Sequence, residues 1–328
     1  MKYLRKVIRI TAEDSPNVQL AMRLRDAGKP IDGRVLVPGI LTWDEYVTRR
    51  ATWDVVRQCV GLDAKFWRGA DLLLYPPDWL NGCEREVLRA RCLQAPATAL
   101  GCDPAEGGDK SSWAVVNNWG LKRLISMKTP DTNVIPTMTE RLMLEHAIPP
   151  ERVMFDRGGG GKQHADNMRA WRTPKWPKGC MVGTTAFGES PSLVLKRGLR
   201  AIQERTEMKE EQYVFVNMRA EMAYELRLLM DPAQNPDAWY IPAGVCGDPS
   251  DSTTRLRDQL AEIPLLYDGE GRIWMLPKNK PSEEVIKRKM AKKTLVELVG
   301  HSPDEMDAVM LAVRAMKHGK KRVVAGAV

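Results

Sequence analysis

Two short apolar runs that each stop on an aspartate constrain this chain more than any other feature. The first, Ala97 to Cys102, runs into Asp103-Pro104. Proline has no amide hydrogen to give to a sheet ladder, so a buried strand must end at Asp103. The second, Arg152 to Asp156, ends on an acid and leads into the glycine run Gly158 to Gly161, with a helix expected from about Lys162 to Ala170. Between them, Ser112 to Asn118 and Leu121 to Lys128 are strand-length runs parted by Trp119-Gly120, the pattern of an antiparallel hairpin, and Pro136 to Ala147 has a helical period. The order strand, hairpin, helix, strand, helix predicts an α/β fold around a mixed sheet flanked by helices. If the two Asp-terminated strands are parallel neighbours, Asp103 and Asp156 stand side by side at one sheet edge.

A third group of acids opens the last helix. Ser302-Pro303-Asp304-Glu305 offers a capping hydroxyl, a first-turn proline and two acids, and Met306, Val309, Met310 and Val313 then form an apolar stripe. Taken singly, each aspartate reads as a turn-former or a helix cap. Asp304 in particular meets the positive end of the helix dipole favourably. Asp307, one turn further in and flanked by Met306 and Ala308, has less local reason to be acidic. A helix crossing the sheet edge would carry Asp307 to Asp103 and Asp156, and carboxylates so gathered repel one another unless a hard divalent cation joins them. Two Mg2+ or Mn2+ ions in such a cluster can activate a water and stabilise the leaving oxygen in phosphodiester hydrolysis. Asp109, in the Gly-Gly-Asp-Lys loop after Asp103, is either a further ligand or a hairpin turn residue.

Charge points the same way. Fifty Lys and Arg against 42 Asp and Glu give +8 over 328 residues, which suits an anionic partner such as nucleic acid. Lys278, Lys280, Lys287, Arg288, Lys289, Lys292 and Lys293 crowd one expected basic helix, over Pro281 to Lys293, and its approach, as a solvated face or a grip on a DNA backbone. Arg157-Gly-Gly-Gly-Gly-Lys162-Gln163 superficially resembles a phosphate loop, but the glycine placement is wrong and Gln163 replaces the Ser or Thr that holds Mg2+. Its glycines are expected to let backbone pass close to the metal site or to DNA, with Arg157 and Lys162 meeting phosphates. The six cysteines show no CxxC spacing and the four histidines no HExxH or HxH pair, so reduced thiols and no zinc-protease chemistry are expected. His164 and His301 read as ordinary polar residues. No apolar run approaches a membrane span and no signal peptide opens the chain, so an intracellular protein without a membrane partner is expected.

Ahead of this core lies a different segment. Lys6 to Thr11 is strand-like, Asp14-Ser15-Pro16-Asn17 marks a turn, and a helix is expected from about Val18 to Ala27. Residues 33 to 95, rich in Trp, Pro and Arg, suit two short helices and irregular connections. Further helices are expected at Ser190 to Lys209 and Asn217 to Met230, and a strand at Arg272 to Leu276. The reading divides the chain into a small, mostly helical or irregular segment over 1–94 and the α/β domain over 95–328.

Four segments in order, GCDPAEGGDKSSWAVV, VMFDRGGGGKQHADNM, NMRAEMAYELRLLM and GHSPDEMDAVMLAV, together resemble the C-terminal nuclease domain of the large subunit of tailed-bacteriophage terminases, over roughly residues 97 to 316. The resemblance implies a ribonuclease-H-like fold and a metal-dependent endonuclease that cuts concatemeric viral double-stranded DNA during packaging. It assigns Asp103, Asp156 and Asp307 as the catalytic, metal-holding acids, with Asp109 and Asp304 as auxiliary ligands, and Mg2+ or Mn2+, as two ions, as cofactor. It also implies a portal protein and a small terminase subunit as partners, the cytoplasm of an infected bacterium as location, and transient docking at the procapsid portal. VIRITAEDSPNV and RVLVPGILTWDEYVTRRATWD through LLLYPPDWL resemble the end of the terminase ATPase domain and its onward connection. Walker A and B motifs are absent from the sequence, so it is not expected to be a self-sufficient motor. Two other readings stay open: a non-catalytic DNA-gripping module of the packaging machine, and a resolvase or transposase of the same superfamily.

Overall fold

The computed structural model describes residues 9–31, 33–53, 58–65, 73–107, 109–191, 214–242, 253–268, 272–279 and 293–318. All but the ends of the helices expected at 190–209 and 281–293, and four proposed DNA contacts, Lys280, Lys287, Arg288 and Lys292, lie outside the described residues, as do residues 6–8 of the strand expected from Lys6, whose remaining Arg9 to Thr11 are not in a strand. Two compact units divide between Leu72 and Leu73.

In the first unit, α1 (Pro16–Asp26) starts on a proline at its first turn and α2 (Trp43–Thr52) on a reciprocal capping box. The Thr42 hydroxyl accepts from the Glu45 amide at 3.3 Å, and the Glu45 carboxylate accepts from the Thr42 amide at 2.9 Å. Val18, Tyr46 and Leu62 form its small core with Trp43 and Trp53 alongside.

In the second unit, α3 (Pro77–Cys83) and α4 (Glu86–Gln94) precede β1 (Ala99–Asp103), β2 (Lys110–Asn117) and β3 (Gly120–Lys128). Then come α5 (Val134–Glu145), β4 (Val153–Asp156), α6 (Gly161–Ala170) and β5 (Gly183–Thr185). The remaining elements are α7 (Met218–Met230), α8 (Thr253–Ala261), β6 (Leu266–Tyr267), β7 (Ile273–Trp274), α9 (Leu295–Val299) and α10 (Asp304–His318). Residues 73–94, grouped with the first segment by the sequence reading, pack in this unit. Tyr75 donates its hydroxyl to the Ala223 carbonyl at 2.9 Å, and Asn117 donates its side-chain amide to the Cys92 carbonyl at 2.8 Å. Buried Leu80, Cys83, Leu88 and Cys92 anchor both helices there, which is why the division falls at 72 rather than 94.

The five-stranded sheet has the order β3-β2-β1-β4-β5, antiparallel through β3, β2 and β1 and parallel through β1, β4 and β5. A meander continued by parallel crossover strands in this order is the ribonuclease-H-like arrangement. The hairpin turn falls one residue earlier than expected, at Asn118-Trp119, because the Asn117 side chain accepts from the Trp119 and Gly120 amides at 2.8 and 3.0 Å.

Side chains alternate across a strand, and this sorts the sheet into two faces. Leu100, Cys102, Val153 and Phe155 point to the face carrying α5 and α6, in a core with Trp113, Leu142, Met143, Ala165 and Met168. Gly101, Asp103 and Asp156 fall on the opposite parity, the face covered by α10. The α10 side chains from Asp304 to Ala315 are all buried, charged ones included. Among the described residues no helix is long and apolar enough to cross a membrane, and Cys59, Cys83, Cys92, Cys102 and Cys180 are free thiols.

Candidate metal centre

The register that pairs Cys102 with Phe155 sets Asp103 beside Asp156 one residue on, at the C-terminal edge of two parallel strands. The first turn of α10 brings Asp304 and Asp307 over the same edge, and Asp103 feels the charges of Lys278, Asp307, Asp156 and Asp304. The structure thus gathers four of the five proposed acids. Asp109 is exposed in the loop between β1 and β2 and is not among the charges acting on Asp103.

Two cations that the sequence reading placed elsewhere, or missed, enter this cluster. Lys278, expected on DNA, instead turns its ammonium inward, 3.0 Å from Asp304 Oδ1, 3.3 Å from Asp307 Oδ2 and 3.6 Å from Asp103 Oδ2. Arg219, at the start of α7, grips Asp307 with both prongs, Nη1 to Oδ1 at 2.7 Å and Nη2 to Oδ2 at 2.9 Å. The signal for such a partner was Asp307 itself: an acid inside an apolar helical stripe needs a cation when buried. Ser302 donates its hydroxyl to the Asp304 carboxylate, so it steadies the acid rather than capping the helix.

Four carboxylates (−4) face Lys278 and Arg219 (+2), which leaves −2. Burial, assisted by Asp307, Asp156 and Asp304 and opposed by Lys278, pushes the Asp103 carboxyl well above the usual carboxylate range. Burial and Asp307 push Asp156 the same way, while Arg219, the Gly158 amide and Lys278 pull it back. For Lys278, burial works against the charged form, but Asp307, Asp103 and Asp304 overcome it and hold the ammonium charged. The cluster thus takes up protons unless further positive charge is supplied. Its hard oxygen donors and its unbalanced −2 fit a divalent cation of the Mg2+ or Mn2+ kind. Among the described residues no three His, Cys, Asp or Glu side chains stand ready as a chelate, and Lys278 and Arg219 lie against the oxygens of Asp103, Asp304 and Asp307.

The glycine run has a steric explanation. A Cβ at Gly159 would overlap the Pro104 carbonyl, one at Gly160 the Glu106 carboxylate, and one at Gly161 the Asp156 carbonyl. The loop after β4 therefore packs against the loop after β1, and bare backbone locks the two acid-bearing strand ends together. Arg157 pairs with Glu189, while Lys162 is exposed on the first turn of α6. His164 is buried with its Nε2 3.7 Å from Glu106, burial holding its pKa down against that carboxylate, and His301 bonds the Ser302 carbonyl through Nδ1 at 2.9 Å.

No protein-family model and no curated protein sequence matches this chain. Among solved structures it is similar to the nuclease domain of the large terminase subunit gp2 of bacterial virus Sf6, at 18% identity over 74% of this chain and 98% of that one, with a TM-score of 0.49. It is also similar to the large terminase nuclease from thermophilic phage G20c, at 13% identity over 67% of this chain and 81% of that one, with a TM-score of 0.33. The same G20c nuclease with bound magnesium gives 14% identity, coverages of 69% and 84%, and a TM-score of 0.33.

Proposed function

We propose that this chain is a metal-dependent DNA endonuclease, the nuclease part of a phage terminase large subunit acting on concatemeric viral double-stranded DNA. The observation that carries this reading is the gathering of Asp103, Asp156, Asp304 and Asp307 at one sheet edge with two negative charges left unbalanced. Three of the four motifs that resemble terminase nucleases supply these acids, in family order. Asp103, Asp156 and Asp307 would hold the cations and Asp304 would assist. A bound divalent cation supplies Lewis-acid activation of water and charge neutralisation at the scissile phosphate. Lys278 holds the acids together until a cation competes for their oxygens, and exposed Lys162 would meet a DNA phosphate. The first unit corresponds, on this reading, to the end of an ATPase domain, and portal protein and small terminase subunit are the expected partners in the infected bacterial cytoplasm.

Incubating the chain with supercoiled plasmid in EDTA, Mg2+ or Mn2+ tests the proposal. Cleavage in either metal and none in EDTA is the expected result. Salt-sensitive binding without cleavage in any of the three would instead support a non-catalytic gripping module, the reading that the ion-paired state of the acids favours. A strong preference for branched DNA would move the assignment to a resolvase.

Replacing Lys278 checks the electrostatics separately. Lys278→Ala leaves Asp103, Asp304 and Asp307 without their shared ammonium, and losing one partner of a largely buried ionic cluster costs about 3 kcal/mol. The melting temperature in EDTA is expected to fall, and added Mn2+ to raise it by more than in the wild-type chain. An equal Mn2+ shift in both proteins would show that Lys278 does not stand in for a cation.

A further inference from the structure

Asp307 is completely buried, yet it is tied to the strand that carries Asp156 by a continuous set of contacts. Arg219 grips both Asp307 oxygens, and its guanidinium lies 4.1 Å from the centroid of the Phe187 ring. The Arg219 amide donates to the Phe187 carbonyl at 3.0 Å, and the Met218 amide to the Glu189 carbonyl at 2.9 Å, so the start of α7 is moored to the turn after β5. That turn is moored in its own right. The Glu189 carboxylate accepts from the Ala186 amide at 3.1 Å and the Thr185 hydroxyl at 3.4 Å, and it pairs with Arg157, the residue after Asp156. The Arg157 amide also donates to the Thr185 carbonyl at 2.7 Å.

We propose that Arg219 is a positioning residue of the acidic centre: clamped on Phe187, its planar fork fixes where the Asp307 carboxylate stands relative to Asp156 and Asp103. The inference rests on the nuclease reading of that centre and adds to it a residue outside the acids. Two geometric facts carry it. A two-pronged grip sets the plane of a carboxylate as well as its position, which a lysine cannot do. Oδ1 keeps a lone pair beyond its bond to Arg219, and Oδ2, which also faces Lys278 at 3.3 Å, regains one when a cation displaces that ammonium, so the held carboxylate can still ligate a cation.

A mere counter-charge would behave oppositely, and the sign of the effect separates the two. Removing a positive charge from beside a cation site relieves repulsion and tightens Mn2+ binding, whereas removing a positioning group loosens it. The experiment is a Mn2+ titration of the full chain followed by the electron paramagnetic resonance of free Mn2+, with circular dichroism and DNA binding in EDTA as controls. Arg219→Ala is expected to weaken Mn2+ binding at least tenfold and Arg219→Lys by less, as the conservative residue restores one bond. Phe187→Leu, which removes only the aromatic seat under the guanidinium, is expected to weaken it a few-fold. DNA binding in EDTA should be unchanged in all three. Binding of Mn2+ by Arg219→Ala as tight as, or tighter than, in the wild type overturns the proposal. If Arg219→Ala does not fold, wild-type Mn2+ affinity in both Arg219→Lys and Phe187→Leu overturns it equally. Failure of the wild-type chain itself to bind Mn2+ would instead remove the nuclease reading, and this proposal with it.

Discussion

Asp103→Asn is expected to abolish metal-dependent DNA cleavage while making the metal-free protein more stable. The two effects have one cause. Asp103 is 5% exposed, with three other carboxylates acting on it and an ammonium 3.6 Å away. Its charge is the means of attracting a cation and, without one, a burden on the fold. Because the folded-state pKa values of Asp103 and Asp156 are raised, the native state holds protons that the unfolded chain has released. Stability from these groups is therefore full below the ordinary carboxylate pKa and is lost as pH climbs through the raised values. In EDTA the melting temperature of Asp103→Asn should exceed that of the wild type, and the gap should widen as pH rises from that ordinary value. A gap of about 3 °C would correspond to about 1 kcal/mol in a domain of this size. With saturating Mn2+ the order should reverse, since only the wild type gains the full free energy of binding, about 2.7 kcal/mol at a hundredfold excess over Kd. Thermal melts in EDTA and Mn2+, with plasmid cleavage alongside, check all three statements. A wild-type cleavage rate in the variant, or a lower melting point in EDTA, would contradict the account.

Much of the sheet was legible because its rules are local. Alternation and the stop at Pro104 place Asp103 at a strand end, and the same logic places Asp156; their adjacency then needs only a parallel register. The start of α10 was legible in Ser302-Pro303-Asp304. Its use was not, because which face of a helix meets which strand is a tertiary matter. Lys278 read as part of a basic run reaching into Lys280 and Lys287, and nothing in that run marks Lys278 as turning inward. Arg219 lies 88 residues from Asp307, within a segment whose resemblance was noted as a block, so no spacing could pair them. The glycine run was expected to let backbone pass close to the metal site or to DNA, and at Gly158 it does pass against the Asp156 carboxylate, where a Cβ would stand 2.7 Å from Oδ2. Gly159 and Gly160 seat one loop on another instead, which depends on Pro104 and Glu106, more than fifty positions away. The division at 94 failed for a similar reason: α3 and α4 read as a connector by composition, and only their buried side chains show which core they belong to.

The fold's second large expected effect lies at Gly101, where no charge is involved. A Cβ there would overlap the Ala308 carbonyl oxygen and the Ala312 amide nitrogen, both backbone atoms of α10. A flexible side chain could swing away from such a clash, but helix backbone cannot, so the helix itself must retreat from β1. Gly101→Ala is accordingly expected to cost about 3 kcal/mol, the upper end for overpacking, and Gly101→Val to leave little folded protein. Urea melts check this, with Gly82→Ala as the control: a Cβ at Gly82 meets nothing within 4 Å, and alanine there should be neutral or slightly stabilising. A folded Gly101→Ala protein should also bind Mn2+ more weakly, although Gly101 carries no ligand. Ala308 follows Asp307 directly, so any displacement of α10 that makes room over Gly101 carries Asp307 away from Asp103. Wild-type stability in Gly101→Ala would mean that α10 does not lie on β1 at this distance. Wild-type Mn2+ affinity despite lost stability would mean that the centre tolerates a displaced Asp307. The absence of a side chain at residue 101 therefore sets how closely the third acid approaches the first.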